Sequence, residues 1–240
     1  MTPHVPIERR GFLATATATA AASLLFARRG AAVQDAAEPP PEEDLRLDFE
    51  RFLALANPLA RELVRDTTRL GEDRYLHCLA ALAARLSDVP VPEMNRKGTG
   101  GPYTYIGANE GGDPFTVLHW RMEPGSVIGH HAHTYGNVVT LGLEGLARIQ
   151  NFEMLGERDF ETRDTFRVRK CVEQALVPGE INLVPLSHRY CHGFVAGPEG
   201  ARGLDITTRI RPKRVAPLLE VLGGPLDDLG CVFEARWRFD

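Results

Sequence analysis

Residues 124–145 read PGSVIGHHAHTYGNVVTLGLEG, and this stretch decides the fold. Glu123-Pro124-Gly125 is a turn. It follows the strand-like run 115–122 and leads into a short segment carrying three histidines. Residues 138–143 form an apolar run closed by a second turn pair, Glu144-Gly145. The same grammar continues outward. Residues 147–154 form a strand, residues 175–177 lead into the Pro178-Gly179-Glu180 turn, and 181–185 form another strand. Residues 194–196 and 203–210 flank a turn at Gly197-Pro198-Glu199-Gly200. Short strands at this spacing predict a mainly β sandwich or jelly-roll barrel over residues 97–240. Residues 155–172 (LGERDFETRDTFRVRKCV) carry many charges and read as a solvated loop or hairpin at the barrel rim.

Gly129-His130-His131-Ala132-His133 carries the chemistry. In a strand, residues i and i+2 point to one face. His131 and His133 can therefore aim both imidazoles at one point inside the barrel, while His130 faces the other way. A third ligand must come from a neighbouring strand. His192 in Tyr190-Cys191-His192-Gly193-Phe194 is the best candidate and His188 is its rival. Three neutral imidazoles suit iron, zinc, copper or nickel on ligand type alone. The competing reading is a hydrogen-bonded histidine group at the barrel mouth with no metal. Cys191 neighbours a candidate ligand, but strand alternation points it into the core.

Upstream, residues 44–69 and 72–86 are expected to be helical. Leu45, Phe49, Phe52 and Leu53, then Leu76, Leu79, Ala83 and Leu86, recur at three- and four-residue steps. Pro58 kinks or ends the first of these. Residues 44–96 thus read as a helical lead-in that packs on the barrel. Residues 31–43 (AAVQDAAEPPPEE) have the composition of a disordered linker. Residues 1–30 read as an export signal, with a charged start, an uncharged Ala/Thr-rich middle and small residues after it. Arg9-Arg10-Gly11-Phe12-Leu13 resembles the twin-arginine signal, which implies a periplasmic protein exported already folded. The apolar stretch is too short and weak for a secure membrane span, so no stable membrane insertion is expected once the signal is removed.

The bulk numbers agree with a soluble domain. The chain has 240 residues, 43% hydrophobic and 25% charged, with net charge −4. No Lys/Arg block runs through the body, so no nucleic-acid partner is expected. The four cysteines, Cys78, Cys171, Cys191 and Cys231, form no C-x-x-C pair; their even number permits disulfides in an exported protein.

Pro124-Gly125, His131-Ala132-His133 and Gly145 resemble the first cupin motif, and Gly179 through Pro185 to His192 a loosened second one. The resemblance covers roughly residues 100–210 and implies a jelly-roll (double-stranded β-helix) barrel holding one divalent metal. Metal cupins commonly place a Glu four or five residues after the second His; here those places hold Asn137 and Val138. That departure is similar to the three-histidine thiol dioxygenases. Tyr103-Thr104, Gly111-Gly112, Trp120, the histidine pair and Gly145 follow the order of cysteine dioxygenase. Cys191-His192-Gly193-Phe194 with Leu204-Asp205 looks more like the cysteamine and plant cysteine oxidase branch.

The resemblance implies Fe2+, or another divalent transition metal, on His131, His133 and His192. It also implies a small thiol and O2 as substrates and a sulfinate as product. Asp205 is expected to support a ligand histidine or hold a water, and Tyr105 and Tyr135 to line the substrate side. Tyr105 stands where cysteine dioxygenase has the arginine that clamps the substrate carboxylate, so Arg121 is the candidate replacement; its other reading is a solvated strand residue. Thr207 and Val138 stand near the places of the cross-linked tyrosine and cysteine, so no thioether cross-link is expected. The alternatives are a metal cupin of another reaction, such as a different dioxygenase or an isomerase, and a non-catalytic periplasmic cupin that binds a metal or small ligand.

Overall fold

The computed structural model describes residues 46–96, 104–110, 114–156, 160–188, 190–212 and 217–239. The export signal and linker of the sequence reading lie outside these residues, as do the side chain of Tyr105 and residues 103, 111 and 112.

After a two-residue strand β1 (Leu47–Asp48), the chain forms two helices, α1 (Phe49–Arg65) and α2 (Arg69–Ala83). Asp48 caps α1 by accepting the Arg51 N–H at 2.7 Å, and Thr68 caps α2 by accepting the Gly71 N–H at 3.2 Å. Pro58 neither ends nor splits α1. The buried stripe Phe52, Ala56, Ala60 and Leu63 runs past it on one face, and packing of that stripe outweighs the hydrogen bond that proline removes.

The strands follow: β2 (Leu86–Asp88), which pairs with β1, then β3 (Asn95–Arg96), β4 (Thr104–Glu110), β5 (Phe115–Met122), β6 (Val127–Ala132), β7 (Gly136–Met154), β8 (Phe166–Leu176), β9 (Ile181–Val184), β10 (Tyr190–Arg209), β11 (Leu218–Leu222) and β12 (Val232–Arg238). Ten of them form one sheet, in the order β3-β4-β5-β10-β6-β11-β12-β8-β7-β9. A further antiparallel pairing of β7 with β10 closes the sheet on itself.

Two expectations change here. The turns read at Glu144-Gly145 and at Gly197–Gly200 do not separate strands. β7 has 19 residues and β10 has 20, and each runs straight through its glycines. The register between them shifts at Ala196/Ala201 and again at Arg202/Gly203. Gly145 has φ 67° and Gly200 has φ 80°, so the paired strands bend together at this corner. The corner is tight as well: a Cβ on Gly145 would lie 2.3 Å from the Gly200 carbonyl oxygen. Secondly, the charged stretch read as a solvated loop or hairpin is narrowed to the hairpin: part of it is strand β8, paired antiparallel with β7 from Val168 to Leu176. One face of β8 is exposed and carries Arg167, Arg169 and Glu173.

The bend turns one long ribbon into two facing layers, and three apolar clusters fill the space around them. Leu118, Trp120 and Met122 face inward from β5, while Phe115 and Val117 face outward. The inner cluster joins Trp120, Met122, Ala147, Ile149, Leu176 and Phe194, with the Trp120 and Phe194 rings 5.2 Å apart. Outside one layer, Phe115, Val117, Val139, Leu141, Leu204 and Ile206 are covered by α1 and α2. Each such side chain removed from water contributes about 1.5–3 kcal/mol, which is why the helical lead-in holds to the barrel. Outside the other layer, the β11–β12 hairpin covers Ala132, Phe152, Val168 and Cys191. The four cysteines are free thiols. No helix among the described residues is long and apolar enough to cross a membrane.

Candidate metal centre

His192 lies on β10 directly opposite His131 on β6 and Asn151 on β7. His133 follows the end of β6. Backbone pairing therefore sets three imidazoles side by side. Their ring centroids form a near-equilateral triangle of 4.9, 4.7 and 4.8 Å, and one nitrogen from each lies within 4.8 Å of the other two. His133 Nε2 and His192 Nε2 are 2.9 Å apart. Two nitrogens bonded to one ion at about 2.1 Å and about 90° stand about 3.0 Å apart, so this spacing suits a shared ion. Among the described residues, the cluster contains only these three side chains; His188, the rival, is outside it.

The electrostatics agree with ligation. His133 and His192 are held well below the usual histidine range, first by burial and then by the charge of His131 beside them. Both are therefore neutral, as a metal ligand must be. His131 Nδ1 lies 3.0 Å from the Gly129 carbonyl oxygen. Donation there puts the proton on Nδ1 and leaves the Nε2 lone pair for an ion. His192 Nδ1 is buried without a hydrogen-bond partner. The donor set thus fits a divalent transition metal.

His130 stands on the opposite face, its ring edge-on to Phe152 at 4.9 Å. Gly193 has to be glycine for this, because a Cβ there would lie 2.7 Å from the His130 ring. Cys191 is fully buried on that same outer side.

Asp205 comes to the site from the far half of β10. The residues at 192 and 205 approach because the strand bends between them: Asp205 Oδ2 lies 3.9 Å from His192 Nε2. Its other oxygen accepts a 2.7 Å hydrogen bond from Thr140, its cross-strand neighbour. Burial pushes the Asp205 carboxyl up to about 6, opposed by the Thr140 bond and by the Trp120 side chain. The carboxylate is on the Nε2 side of the His192 ring, facing the point where the ligand nitrogens converge. It does not take the back N–H of the ring, Nδ1.

The other expected site residues are more scattered. Tyr135 is half-buried, and its hydroxyl is pushed up first by burial and then by the Asp205 charge, opposed by Arg209. Arg121 is exposed, opposite Arg202 on β10, on the same strand face as Phe115 and Val117. That face is outside the barrel, so Arg121 is not brought to the histidines. The Tyr105 backbone pairs with Arg121, but its side chain is outside the described residues.

Sequence reasoning missed Glu72. This buried carboxylate on α2 accepts the Leu186 N–H at 2.8 Å and the Ser187 N–H at 3.0 Å, while Asn137 Oδ1 also accepts Leu186 N–H at 2.8 Å. It fastens the helices to the segment that leads into the His192 strand. Glu72 sits on the α2 stripe one turn before Leu76, and a charge on an apolar stripe is the signal that could have found it.

No protein-family model matches the sequence, and no curated protein matches it. Solved structures similar to it include KdgF from Halomonas sp., at 16% identity over 51% of this chain and 89% of that one, TM-score 0.36. The Cnp3 cupin domain of Schizosaccharomyces pombe is similar at 10% identity over 50% of this chain and 70% of that one, TM-score 0.36. Procruciferin from Brassica napus is similar at 14% identity over 49% of this chain, TM-score 0.37, and the match spans only 27% of its length. The fold is a closed, mainly β barrel. β7 and β10 are shared by both layers, and the three histidines occupy one layer and Asp205 the other.

Proposed function

We propose that this protein is a cupin, an iron-dependent thiol dioxygenase that oxidises a small thiol to a sulfinate with O2. The observation that carries the reading is the make-up of the cluster, three imidazoles with no carboxylate among the ligand atoms. A carboxylate oxygen of Asp205 stands 3.9 Å from His192 Nε2, outside the three-histidine cluster. At the place where other metal cupins carry a ligating Glu, the Asn137 oxygen is engaged by the Leu186 N–H.

Fe2+ held by His131, His133 and His192 would keep its full charge and open positions, which suits acidifying a bound thiol and joining it with dioxygen. The chain's own groups supply the surroundings. Thr140 fixes one oxygen of Asp205, so the other is presented as an acceptor beside the histidines. Trp120, Ile149 and Phe194 form an apolar wall that limits water. An anionic Asp205 at the interior and Arg121 on the outer face favour a thiol bearing an ammonium group over one bearing a carboxylate. With the twin-arginine reading of residues 1–30, the protein works in the periplasm with its metal loaded before export.

The test is oxygen uptake by the iron-loaded protein with cysteamine, cysteine and 3-mercaptopropionate, with the product identified by mass. The expected result is a mass gain of two oxygens, fastest with cysteamine. No uptake with any thiol, with zinc or nickel retained from expression, would replace this reading with a cupin of another reaction or a binding protein.

A further inference from the structure

A histidine that holds an ion with one ring nitrogen gives the proton on its other nitrogen to an acceptor, which fixes the tautomer and the plane of the ring. His131 does so through the Gly129 carbonyl. His192 differs: its Nδ1 is buried and makes no hydrogen bond within the protein. Asp205 does not fill that place. Its Oδ2 lies 3.9 Å from Nε2, the nitrogen on the side of the other imidazoles.

Directly opposite His192, on β7, is Asn151. Directly opposed side chains of an antiparallel pair stand on one face of the sheet, with Cβ atoms about 4.5–5.5 Å apart. Asn151 is fully buried, and its Oδ1 also makes no hydrogen bond within the protein. A buried donor or acceptor without a partner is destabilising. Here one of each kind stands on the two members of a single register pair. The amide cannot be reversed to hide its oxygen, because Nδ2 donates to the Leu183 carbonyl at 3.1 Å and a carbonyl takes only a donor. β8 is irregular at the same point. Cys171 is an extra residue opposite the Asn151–Phe152 step, and its thiol donates to the Asn151 carbonyl at 3.3 Å. Such a bulge bends a strand and re-aims a side chain.

We infer that Asn151 is the positioning residue of the metal centre, its Oδ1 receiving the Nδ1–H of His192 through one bridging water. The inference rests on the metal-centre reading and not on the reaction proposed for it. A water has the capacity required, since it accepts from the imidazole and donates to the amide. The bond keeps the His192 proton on Nδ1 and leaves Nε2 as the ligand nitrogen, as Gly129 does for His131. A carboxylate in that place would raise the basicity of the ligand. The neutral amide orients the ring and adds no charge.

The test uses the full chain with zinc as a diamagnetic probe ion. Nitrogen–proton correlation spectra of the imidazoles report the His192 tautomer and the exchange of its Nδ1 proton, metal-free and zinc-loaded. Competition with a chelating dye reports zinc affinity. Wild type is compared with Asn151→Leu, Asn151→Asp and Asn182→Leu. Both Asn151 variants lose the bond to Leu183, but only Asp keeps an acceptor oxygen. Asn182→Leu removes another buried, partnerless Oδ1, on β9.

In wild type, His192 is expected to be protonated on Nδ1, with a slowly exchanging proton, in both states. Asn151→Leu should speed that exchange and weaken zinc about tenfold or more, while Asn151→Asp and Asn182→Leu should stay within about threefold of wild type. A metal-free wild type protonated on Nε2 of His192 overturns the inference without any variant. An equal loss in both Asn151 variants overturns it too, leaving Asn151 as a tie to β9 alone. So does a change in Asn182→Leu with none in Asn151→Leu. Wild type that binds no zinc removes the metal-centre reading, and the inference with it.

Discussion

At the scale of single residues, the histidine spacing was the most legible feature. H-x-H on a strand determines that two imidazoles share a face, and this follows from chain geometry alone. His192 was already preferred to His188 as the third ligand, and strand register sets it opposite His131. Two readings depended on information the sequence does not hold. Arg121 is at a position whose inward or outward sense is fixed by which face the helices cover, and they cover the face of Phe115 and Val117. Asp205 reaches the ligand side of His192 only because β10 bends between them. Its placement yields a prediction. Asp205→Asn keeps the side-chain shape but presents an amide where an acceptor oxygen stood, and it touches no ligand backbone. Iron content should stay near wild type while kcat falls about 10–100-fold. Loss of iron in parallel with activity, measured by elemental analysis of the same samples, would make Asp205 a support of the metal instead.

At the scale of elements, strand β5 was read with the bounds it has, and the helices within a few residues. The long strands were not. Glycine pairs that usually mark turns here sit inside β7 and β10, where positive φ bends a strand without ending it. The bounds of β8 were not legible because its exposed face carries Arg167, Arg169 and Glu173, a composition that suits a loop as well as a hairpin. The corner makes a direct prediction. Gly145→Ala puts a Cβ 2.3 Å from the Gly200 oxygen at a φ of 67°, and should cost about 2 kcal/mol or more in denaturant unfolding. A change below about 0.5 kcal/mol would mean the corner is not rigid. Glu72 makes another. Glu72→Ala removes the carboxylate that accepts the Ser187 N–H, while Leu186 N–H keeps Asn137. A loss of about 1.5–3 kcal/mol in chemical denaturation is expected, since hydrogen bonds to a charged acceptor are among the stronger ones. An unchanged midpoint would show that helix packing alone fixes that segment.

At the scale of the whole molecule, the metal centre belongs to no single element. β6 supplies His131 and leads into His133, β10 supplies His192, and the bend shared by β7 and β10 brings Asp205 across. The helices seal the outer face of one layer and, through Glu72, hold the approach to His192. A mainly β barrel behind a helical lead-in was readable from turn spacing and apolar periodicity. Closure of the sheet was not, because it depends on β7 and β10 pairing along nearly their whole length. The proposed chemistry depends on three side chains holding one ion. The most direct test is metal content per chain after iron loading and desalting, for wild type, His192→Ala and His188→Ala side by side. About one iron per wild-type chain is predicted, with nearly none in His192→Ala and an unchanged amount in His188→Ala. Full occupancy retained in His192→Ala would contradict it.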